Sequence, residues 1–325
     1  MIDEYGRNID YIRISVTDRC DLRCVYCMPE EGVIPTAHSE ILTYDEIVRL
    51  AEILAGLGFK KIKLTGGEPM CRLGIEKLIA SLKNVGGIKQ VTITTNGVTL
   101  AKKYEALRES GVDGINISLD TTDRALYAKI TRRDMLDNVL KGLEVALAGK
   151  DMIPLKINCV PMSREQKLTD VALLAKENDI AVRFIEMMPI GYGSSFDYIS
   201  RSEVIAKMEE AFGVLTPYEG KALGNGPAEY FTAKGFKGKL GFISAVSHKF
   251  CGNCNRIRLT SAGYLKTCLQ YETGCDLKSL LRGAGDDNAI ADAIISAVGK
   301  KPAGHHFGEE AAGGDEKKTM SQIGG

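Results

Sequence analysis

The chain has 325 residues, of which 44% are hydrophobic, so it can form one large domain or a large and a small one. Its 42 Lys and Arg residues balance 42 Asp and Glu residues, which gives no electrostatic case for nucleic acid or an anionic membrane as partner. No apolar run is long enough to cross a bilayer, and residues 1–10 do not resemble a signal peptide, so we expect a cytoplasmic protein.

From about residue 10 to residue 190, β-rich runs alternate with amphipathic helical segments. Strands are predicted at 11–16, 61–64, 91–95, 114–119, 155–160 and 182–186. Helices are predicted at 43–57, where Thr43 and Glu46 form a capping box, and at 75–82, 100–109, 123–148 and 170–177. Six βα units predict a parallel sheet, and a closed βα barrel needs eight. We therefore expect an α/β fold, a partial barrel of about six units over residues 1–190.

The rest of the chain is expected to form a linker region and a smaller domain. Residues 191–227 are Gly-rich, with one predicted helix near 203–211, and are taken as the linker region. Strands at 230–232, 240–244 and 256–260 are predicted to pair antiparallel, with helices at 276–281 and 289–298 completing an α+β domain over 228–325. The end, 302–325, is rich in Gly and charge, and we expect it to be mobile.

Nine cysteines in a chain without a secretion signal favour metal binding over disulfides. Cys20, Cys24 and Cys27 follow the first predicted strand, at the end of the sheet where barrel-like folds place their active sites. A zinc site would need a fourth ligand, whereas three thiolates on a [4Fe–4S] cluster leave one iron open to chelate S-adenosylmethionine (SAM). The scattered cysteines are expected to be small buried hydrophobic residues: Cys71, Cys159 and Cys275.

A second group, Cys251, Cys254 and Cys268, has the spacing Cys-x2-Cys-x13-Cys. Cys-x2-Cys is also typical of zinc sites, and His248 could supply the fourth ligand, so a structural zinc site stays open as an alternative. Beside a first cluster with an open iron, we favour a second [4Fe–4S] cluster that also has one.

The first cysteine spacing, with Tyr26 before the last cysteine and Thr-Gly-Gly-Glu-Pro at residues 65–69, resembles the radical SAM superfamily. Residues 241–260, which include two of the later cysteines, are similar to the GTP 3′,8-cyclase family of molybdenum cofactor biosynthesis. The resemblance runs from about residue 13 to residue 269 and includes the C-terminal Gly-Gly.

This resemblance implies a radical SAM lyase with two [4Fe–4S] clusters and SAM as cofactors. It would convert GTP to 3′,8-cyclo-7,8-dihydro-GTP, the first step toward molybdopterin, by removing the C3′ hydrogen and joining C3′ to C8. The implied partners are GTP, an electron donor and a downstream cyclic pyranopterin monophosphate synthase, and the chain could form a homodimer. The alternatives are another radical SAM enzyme with an auxiliary cluster and a zinc-stabilised binding protein.

The same resemblance implies the site residues. Six residues are expected to bind SAM: Tyr26, Gly67, Glu68, Thr94, Ser118 and the backbone of Met188. Basic residues expected to meet at one rim and bind the triphosphate are Arg13, Lys61, Arg72, Lys156, Arg183, Arg256 and Arg258. The tail, Gly324 and Gly325, is expected to enter the active site and orient a basic residue such as Arg256, so that Arg256, Arg258 and both glycines assist catalysis.

Overall fold

The structure, a computed structural model, describes residues 1–283, 285–307, 309 and 315–324. Its strands are β1 Tyr11–Ser15, β2 Lys61–Thr65, β3 Gln90–Thr95, β4 Ile115–Ser118, β5 Leu155–Cys159, β6 Ala181–Ile185, β7 Thr216–Pro217, β8 Glu229–Thr232, β9 Lys239–Ile243, β10 Arg256–Leu259, β11 Tyr264–Lys266 and β12 Gly274–Asp276. Its α-helices are α1 Tyr44–Gly56, α2 Ile75–Lys83, α3 Leu100–Glu109, α4 Arg124–Thr131, α5 Leu136–Ala148, α6 Leu168–Glu177, α7 Arg201–Phe212, α8 Leu277–Arg282, α9 Asp287–Gly299 and α10 Met320–Ile323.

The strands of the described residues form one 12-stranded sheet in the order β12-β11-β10-β1-β2-β3-β4-β5-β6-β9-β8-β7. Every neighbouring pair from β10 to β9 is parallel, and short antiparallel pairs flank this central part on both sides. Because the order starts at β12 and ends at β7, the barrel is open. The prediction of a partial α/β barrel is thereby confirmed.

The predicted strands up to residue 190 are confirmed as β1 to β6, and the predicted helix at 123–148 is broken into α4 and α5. The expected antiparallel pairing at 240–244 and 256–260 is wrong on one side of each strand. There β9 is parallel to β6 and β10 is parallel to β1, and each is antiparallel to its outer neighbour. Strands before and after the predicted linker region, residues 191–227, therefore belong to the same sheet. The division into domains stays a prediction.

The strands alternate between an apolar outer face and a polar inner face, as the two-residue period of a strand requires. In β1, Ile12 and Ile14 are buried in the main hydrophobic core, while Arg13 lines an internal cavity. In β10, Ile257 lies in the same core and its neighbours on either side face the cavity. Because the cavity is lined by all of the parallel strands, the sheet must curve around it.

Helices cover the outer face and complete the core. In α1, the predicted capping box is present, since the Thr43 side chain accepts from the Glu46 amide and the Glu46 carboxylate accepts from the Thr43 amide. The apolar side of this helix, including Leu50 and Leu54, packs in the core with α2. Among the described residues, no helix is long and apolar enough to span a membrane.

The described end of the chain packs against the sheet, contrary to the expected mobility of residues 302–325. Asp315 forms an isolated antiparallel bridge with Tyr271, and Glu316 forms a buried ion pair with Lys266 of β11. The short helix α10 follows and buries Ile323. These contacts lead the chain back to the open rim of the barrel.

Candidate active site

The first cysteine group lies on the loop that follows β1. The amides of Cys27 and Met28 both donate to the Cys24 carbonyl, at 2.9 and 3.2 Å, which folds the loop into a turn. Burial raises the pKa of Cys24, and the neighbouring thiols of Cys27 and Cys20 raise it further, so the three sulfur atoms lie within electrostatic reach of one another. Soft, free thiols gathered in this way fit an iron–sulfur cluster.

The Gly-Gly pair after β2 packs against the backbone that leads into this loop. The Gly67 amide donates to the Thr17 carbonyl at 2.7 Å. A Cβ on Gly67 would come within 2.4 Å of the Arg19 carbonyl oxygen, and one on Gly66 within 2.6 Å of the Thr17 carbonyl oxygen. These glycines therefore allow the cysteine loop to approach the sheet, and the expected binding of SAM by Gly67 stays a prediction.

Glu68 ties the end of β2 to the end of β3. Its buried carboxylate accepts hydrogen bonds from the Thr95 hydroxyl at 2.8 Å, the Asn96 amide at 2.7 Å and the Met70 amide at 3.0 Å. Burial raises its pKa to about 7, although these hydrogen bonds act in the opposite direction. Since the carboxylate is bonded to protein donors and Glu68 is not part of the cavity lining, its expected contact with SAM stays a prediction.

Other predicted SAM residues do meet at the rim of the cavity, namely Tyr26, Thr94, Ser118 and Met188. The Tyr26 hydroxyl donates to Asp120 at 2.9 Å, and the same carboxylate accepts from the Val160 amide at 2.8 Å. Burial raises the pKa of Asp120 to about 6. Asp120 therefore holds the aromatic ring beside the cysteine loop, a role that the predicted set omitted.

The cavity has a volume of about 1120 Å³ and lies on the inner face of the sheet. Most small-molecule sites are roughly 300–1,000 Å³, so it has room for a nucleotide and a second small molecule. Buried polar atoms of the lining without a hydrogen-bond partner among the described residues include Asn158 Oδ1, Arg183 Nε and Thr267 Oγ1. Because buried polar atoms normally bind a partner, these fit a polar ligand.

Basic side chains from neighbouring strands converge on this cavity. Arg13 stands between Lys63 and Arg258 in the sheet register, and all three face inward. Burial lowers the pKa of Arg13, and so do the guanidinium groups of Arg256 and Arg183. Such crowding of like charges is costly unless an anion accompanies them, so the arrangement suits a polyanionic ligand.

The second cysteine group lines the same cavity, with Cys251 on a 3-10 helix, Cys254 after it and Cys268 beyond β11. Burial raises the pKa of Cys254, but Lys301 and Arg256 outweigh that effect and lower it overall. These cations therefore favour the thiolate, which is the form that binds metals.

The side-chain positions support an iron–sulfur cluster better than a single metal ion. In the described ranges, no three His, Cys, Asp or Glu side chains converge closely enough to hold one metal ion. The thiolates of a four-iron cluster each bind a different iron, so a cluster does not require such convergence. The alternative zinc ligand His248 is exposed and contacts the Ser247 hydroxyl at 3.0 Å.

The tail reaches the basic cluster through its penultimate residue. Arg258 Nη1 donates to the Gly324 carbonyl at 2.6 Å, in a buried position. The expected partner, Arg256, instead stacks on Phe250, with its guanidinium carbon 5.0 Å from the ring centroid. Gly324 thus contacts a cavity-lining arginine, while Gly325 lies outside the described residues, and the entry of the tail into the active site stays a prediction.

Comparisons with known proteins agree with both halves of this site. A model of the Radical SAM superfamily matches residues 14–167, and one named Molybdenum Cofactor Synthesis C matches residues 180–307. A GTP 3′,8-cyclase of Heliobacterium modesticaldum is 44% identical over 330 residues, and one of Clostridium perfringens strain 13 is 41% identical over 328. Each comparison covers 100% of both chains.

The chain belongs to the GTP 3′,8-cyclase family.

A solved structure supports the fold of this cyclase-family chain. Streptococcus suis SuiB bound to S-adenosylmethionine has a TM-score of 0.59 at 15% identity, and the match covers 90% of this chain and 68% of SuiB. At that identity the likeness concerns the fold, which is the open α/β barrel described above.

Two of the predicted basic residues of this cyclase-family chain already have partners within the protein. Arg72 donates to the Val16 and Leu42 carbonyls, both at 2.7 Å, and its guanidinium stacks on Tyr44. It is turned away from the cavity lining and braces the backbone at the end of β1. Lys61 does line the cavity, but as half of an ion pair with Asp10 at 2.8 Å.

Lys63 is a site residue of this cyclase-family chain that the sequence prediction missed. Burial lowers its pKa well below the usual range, and Arg183, Arg13, Lys156 and Arg256 act in the same direction. The sequence could have predicted the position of Lys63, because it stands two residues after Lys61 and a strand places both on one face.

The scattered cysteines of this cyclase-family chain differ in exposure. Cys159 is fully buried in β5, and Cys275 packs partly buried against the core, as expected. Cys71 is exposed, so the prediction of a buried hydrophobic residue is wrong there.

Proposed function

We propose that the chain is a radical SAM GTP 3′,8-cyclase, which makes 3′,8-cyclo-7,8-dihydro-GTP in the first step of molybdenum cofactor biosynthesis. One observation carries the proposal: a basic cavity lies between the loop of the first cysteine group and the three cysteines of the second. A polyanionic nucleotide fits this space, and the full-length similarity to GTP 3′,8-cyclases indicates that this nucleotide is GTP.

The chain is a radical SAM enzyme whose cofactors are SAM and two [4Fe–4S] clusters. We assign the first cluster to Cys20, Cys24 and Cys27 and the second to the cavity-lining group, Cys251, Cys254 and Cys268. When bound and reduced by one electron, SAM supplies a 5′-deoxyadenosyl radical that can remove a hydrogen atom from the substrate.

The protein's own contribution to SAM binding comes from the rim of the barrel. We assign Tyr26, Thr94, Ser118 and Met188 to the SAM pocket because they line the cavity next to the first cysteine loop. The backbone of Gly67 stays in this set, since that residue packs directly on the loop. Glu68 would act there by holding the ends of β2 and β3 together.

The inward-facing cations are assigned to the triphosphate of GTP: Arg13, Lys61, Lys63, Lys156, Arg183, Arg256 and Arg258. Arginine can bind phosphate oxygens through two parallel hydrogen bonds, while lysine acts as a point charge. A bound anion would relieve the repulsion between these groups. We therefore expect the most crowded cations to contribute most to the free energy of GTP binding. Arg72, which braces backbone carbonyls outside the cavity, is left out of this set.

The tail would act on the same cations. The Gly324 carbonyl accepts from Arg258 and thereby fixes the direction of that guanidinium within the cavity. We assign Arg258 and Gly324 to the catalytic machinery on this basis, and Arg256 because it lines the same cavity. Gly325, the other tail glycine expected to assist catalysis, lies outside the described residues, and its role stays a prediction.

The partners follow from the reaction. Reductive cleavage of SAM needs an electron donor, and the cyclised nucleotide needs a downstream cyclic pyranopterin monophosphate synthase to consume it. We place the enzyme in the cytoplasm, because a reducing compartment keeps its cysteines available for clusters. A homodimer is compatible with these assignments.

The test is an anaerobic reaction of the reconstituted full chain with GTP, SAM and a chemical reductant. We expect GTP to be converted to an isomer of equal mass, with methionine and 5′-deoxyadenosine formed alongside it. Omission of SAM or reductant is the matched control. SAM cleavage that leaves GTP unchanged would contradict the assignment of substrate.

A further inference from the structure

We propose that Arg132 is a positioning residue for the first iron–sulfur cluster, whose left-handed backbone aims its guanidinium at the cysteine loop. The inference rests on the assignment of that cluster to Cys20, Cys24 and Cys27 under the proposed function. Arg132 caps the carboxyl end of α4, directly after its last residue, Thr131.

The backbone of Arg132 adopts a conformation that side chains disfavour. Its φ is 53°, and it is the one residue other than glycine with a positive φ in the described part of the chain. A Cβ in the left-handed region crowds the following carbonyl, so this conformation is less favourable for arginine than for glycine. A side chain that keeps such a position must form contacts that offset this cost.

The contacts are made by the guanidinium. Arg132 Nη1 donates to the Arg23 carbonyl at 3.0 Å and to the Met28 carbonyl at 3.0 Å. These two residues immediately precede Cys24 and follow Cys27. One charged group therefore holds both ends of the segment that carries two of the three thiols.

The end of α4 holds the same loop through its backbone. The Arg23 amide donates to the Thr131 carbonyl at 2.9 Å, and the Val25 amide donates to the Ile130 carbonyl at 2.9 Å. The last carbonyls of a helix have no partner inside it, so they are free to accept such bonds. The left-handed turn at Arg132 stops the helix there and leaves these carbonyls to the loop.

The two sets of bonds have different consequences. The backbone bonds dock the loop, whereas the guanidinium sets the separation between the residues on either side of the Cys24–Cys27 segment. Among the described residues, the Arg132 guanidinium bonds backbone carbonyls of the loop and no cysteine sulfur, so it would act on the cluster through the loop. The adjacent Arg133 is exposed, and its guanidinium donates to the Arg132 carbonyl and not to the cysteine loop. It is therefore a matched control for the loss of an arginine at this position.

The substitution Arg132→Gly separates the two roles. It removes the guanidinium, while glycine adopts the left-handed turn without strain, so the backbone bonds between α4 and the loop are kept. In the reduced holoenzyme, the part of the iron–sulfur EPR signal that changes on SAM addition reports the first cluster. With an iron chelator present, we expect that signal to disappear about tenfold to a hundredfold faster in Arg132→Gly, as for other residues that orient metal ligands. Arg133→Gly should behave as the wild type.

Two further measurements keep the proposal falsifiable. Arg132→Lys keeps a cation without the planar fork, and we expect an intermediate rate of signal loss. The thermal unfolding midpoint of the apo protein should change little in either variant, since only the loop loses its clamp. A wild-type rate of signal loss in both variants would overturn the proposal, as would acceleration matched by an equal general loss of apo stability. Because the readout needs no GTP, a failed cyclase assay would leave this test unaffected.

Discussion

The substitution Gly324→Ala should displace the tail from the active site. Gly324 has a φ of 92°, and a Cβ there would come within 2.6 Å of Ser15 Cβ. Carbon atoms in good contact are about 3.5–4.0 Å apart. Ser15 is a buried residue of β1, so it cannot move aside without disturbing the sheet.

The expected magnitude follows from two contributions. The left-handed backbone costs an alanine about 1–2 kcal/mol, and overpacking at a filled site costs about 1–3 kcal/mol. A combined cost of about 3 kcal/mol would lower the ratio of docked to undocked tail by roughly a hundredfold. Arg258 would then lose the Gly324 carbonyl as its hydrogen-bond acceptor, while Arg13 and Arg256 remain close to it.

The assay compares turnover with tail docking. We expect Gly324→Ala, like deletion of residues 324–325, to retain both clusters and GTP binding but to form cyclised product far more slowly. Hydrogen exchange at the C-terminal segment should accelerate, and a synthetic peptide ending in Gly-Gly should partly restore turnover. Gly299→Ala is the control, because a Cβ at Gly299 has no neighbouring atom within 4 Å. Wild-type turnover with a docked tail in Gly324→Ala would refute this reasoning.

Three further predictions concern the clusters and the triphosphate site. Cys20→Ala should abolish 5′-deoxyadenosine formation, measured by chromatography, and retained formation would contradict the first-cluster assignment. Cys268→Ala should spare SAM cleavage more than cyclisation, so the ratio of 5′-deoxyadenosine to cyclised product should rise; an unchanged ratio would argue against a substrate-binding cluster. Burial and Arg183 lower the pKa of Lys156 to about 8, so kcat/KM for GTP should fall as pH rises through that value and the ammonium loses its proton. Lys156→Arg should remove that fall, because arginine stays charged.

The periodicity of the sequence predicts the first six strands because each strand and helix has its own local pattern. Local pattern does not reveal which strands become neighbours. The parallel pairing of β9 with β6 and of β10 with β1 joins segments far apart in the chain, and it adds two strands to the predicted barrel. Only the folded sheet shows that Arg256 and Arg258 stand beside Tyr11 and Arg13.

Residue type predicted the chemistry of the site better than it predicted individual contacts. The two cysteine groups could be found because thiolates in tight spacing have few other uses. Arg72 and Arg258 are both arginines in or near strands, yet one braces backbone carbonyls and the other donates to the Gly324 carbonyl of the tail. Arg258 lies within β10, so the two-residue period of the strand turns it toward the cavity. Arg72 lies beyond the end of β2, where no strand period specifies the direction of its side chain.

The role of Arg132 lay beyond prediction for a related reason. An arginine after an amphipathic helix is usually exposed, and its positive φ becomes visible only in the backbone of the folded chain. The same holds for Lys266 and Glu316, which are far apart in sequence and form a buried ion pair that leads the tail toward the site.

The central claim, that this chain removes the C3′ hydrogen of GTP, is tested most directly with GTP that carries deuterium at C3′. The reconstituted enzyme is incubated anaerobically with this substrate, SAM and reductant, and the 5′-deoxyadenosine is analysed by mass spectrometry. The account predicts that the deuterium is transferred, so that 5′-deoxyadenosine becomes one mass unit heavier as the cyclised product forms. Unlabelled 5′-deoxyadenosine accompanying cyclised product that keeps its deuterium would contradict it.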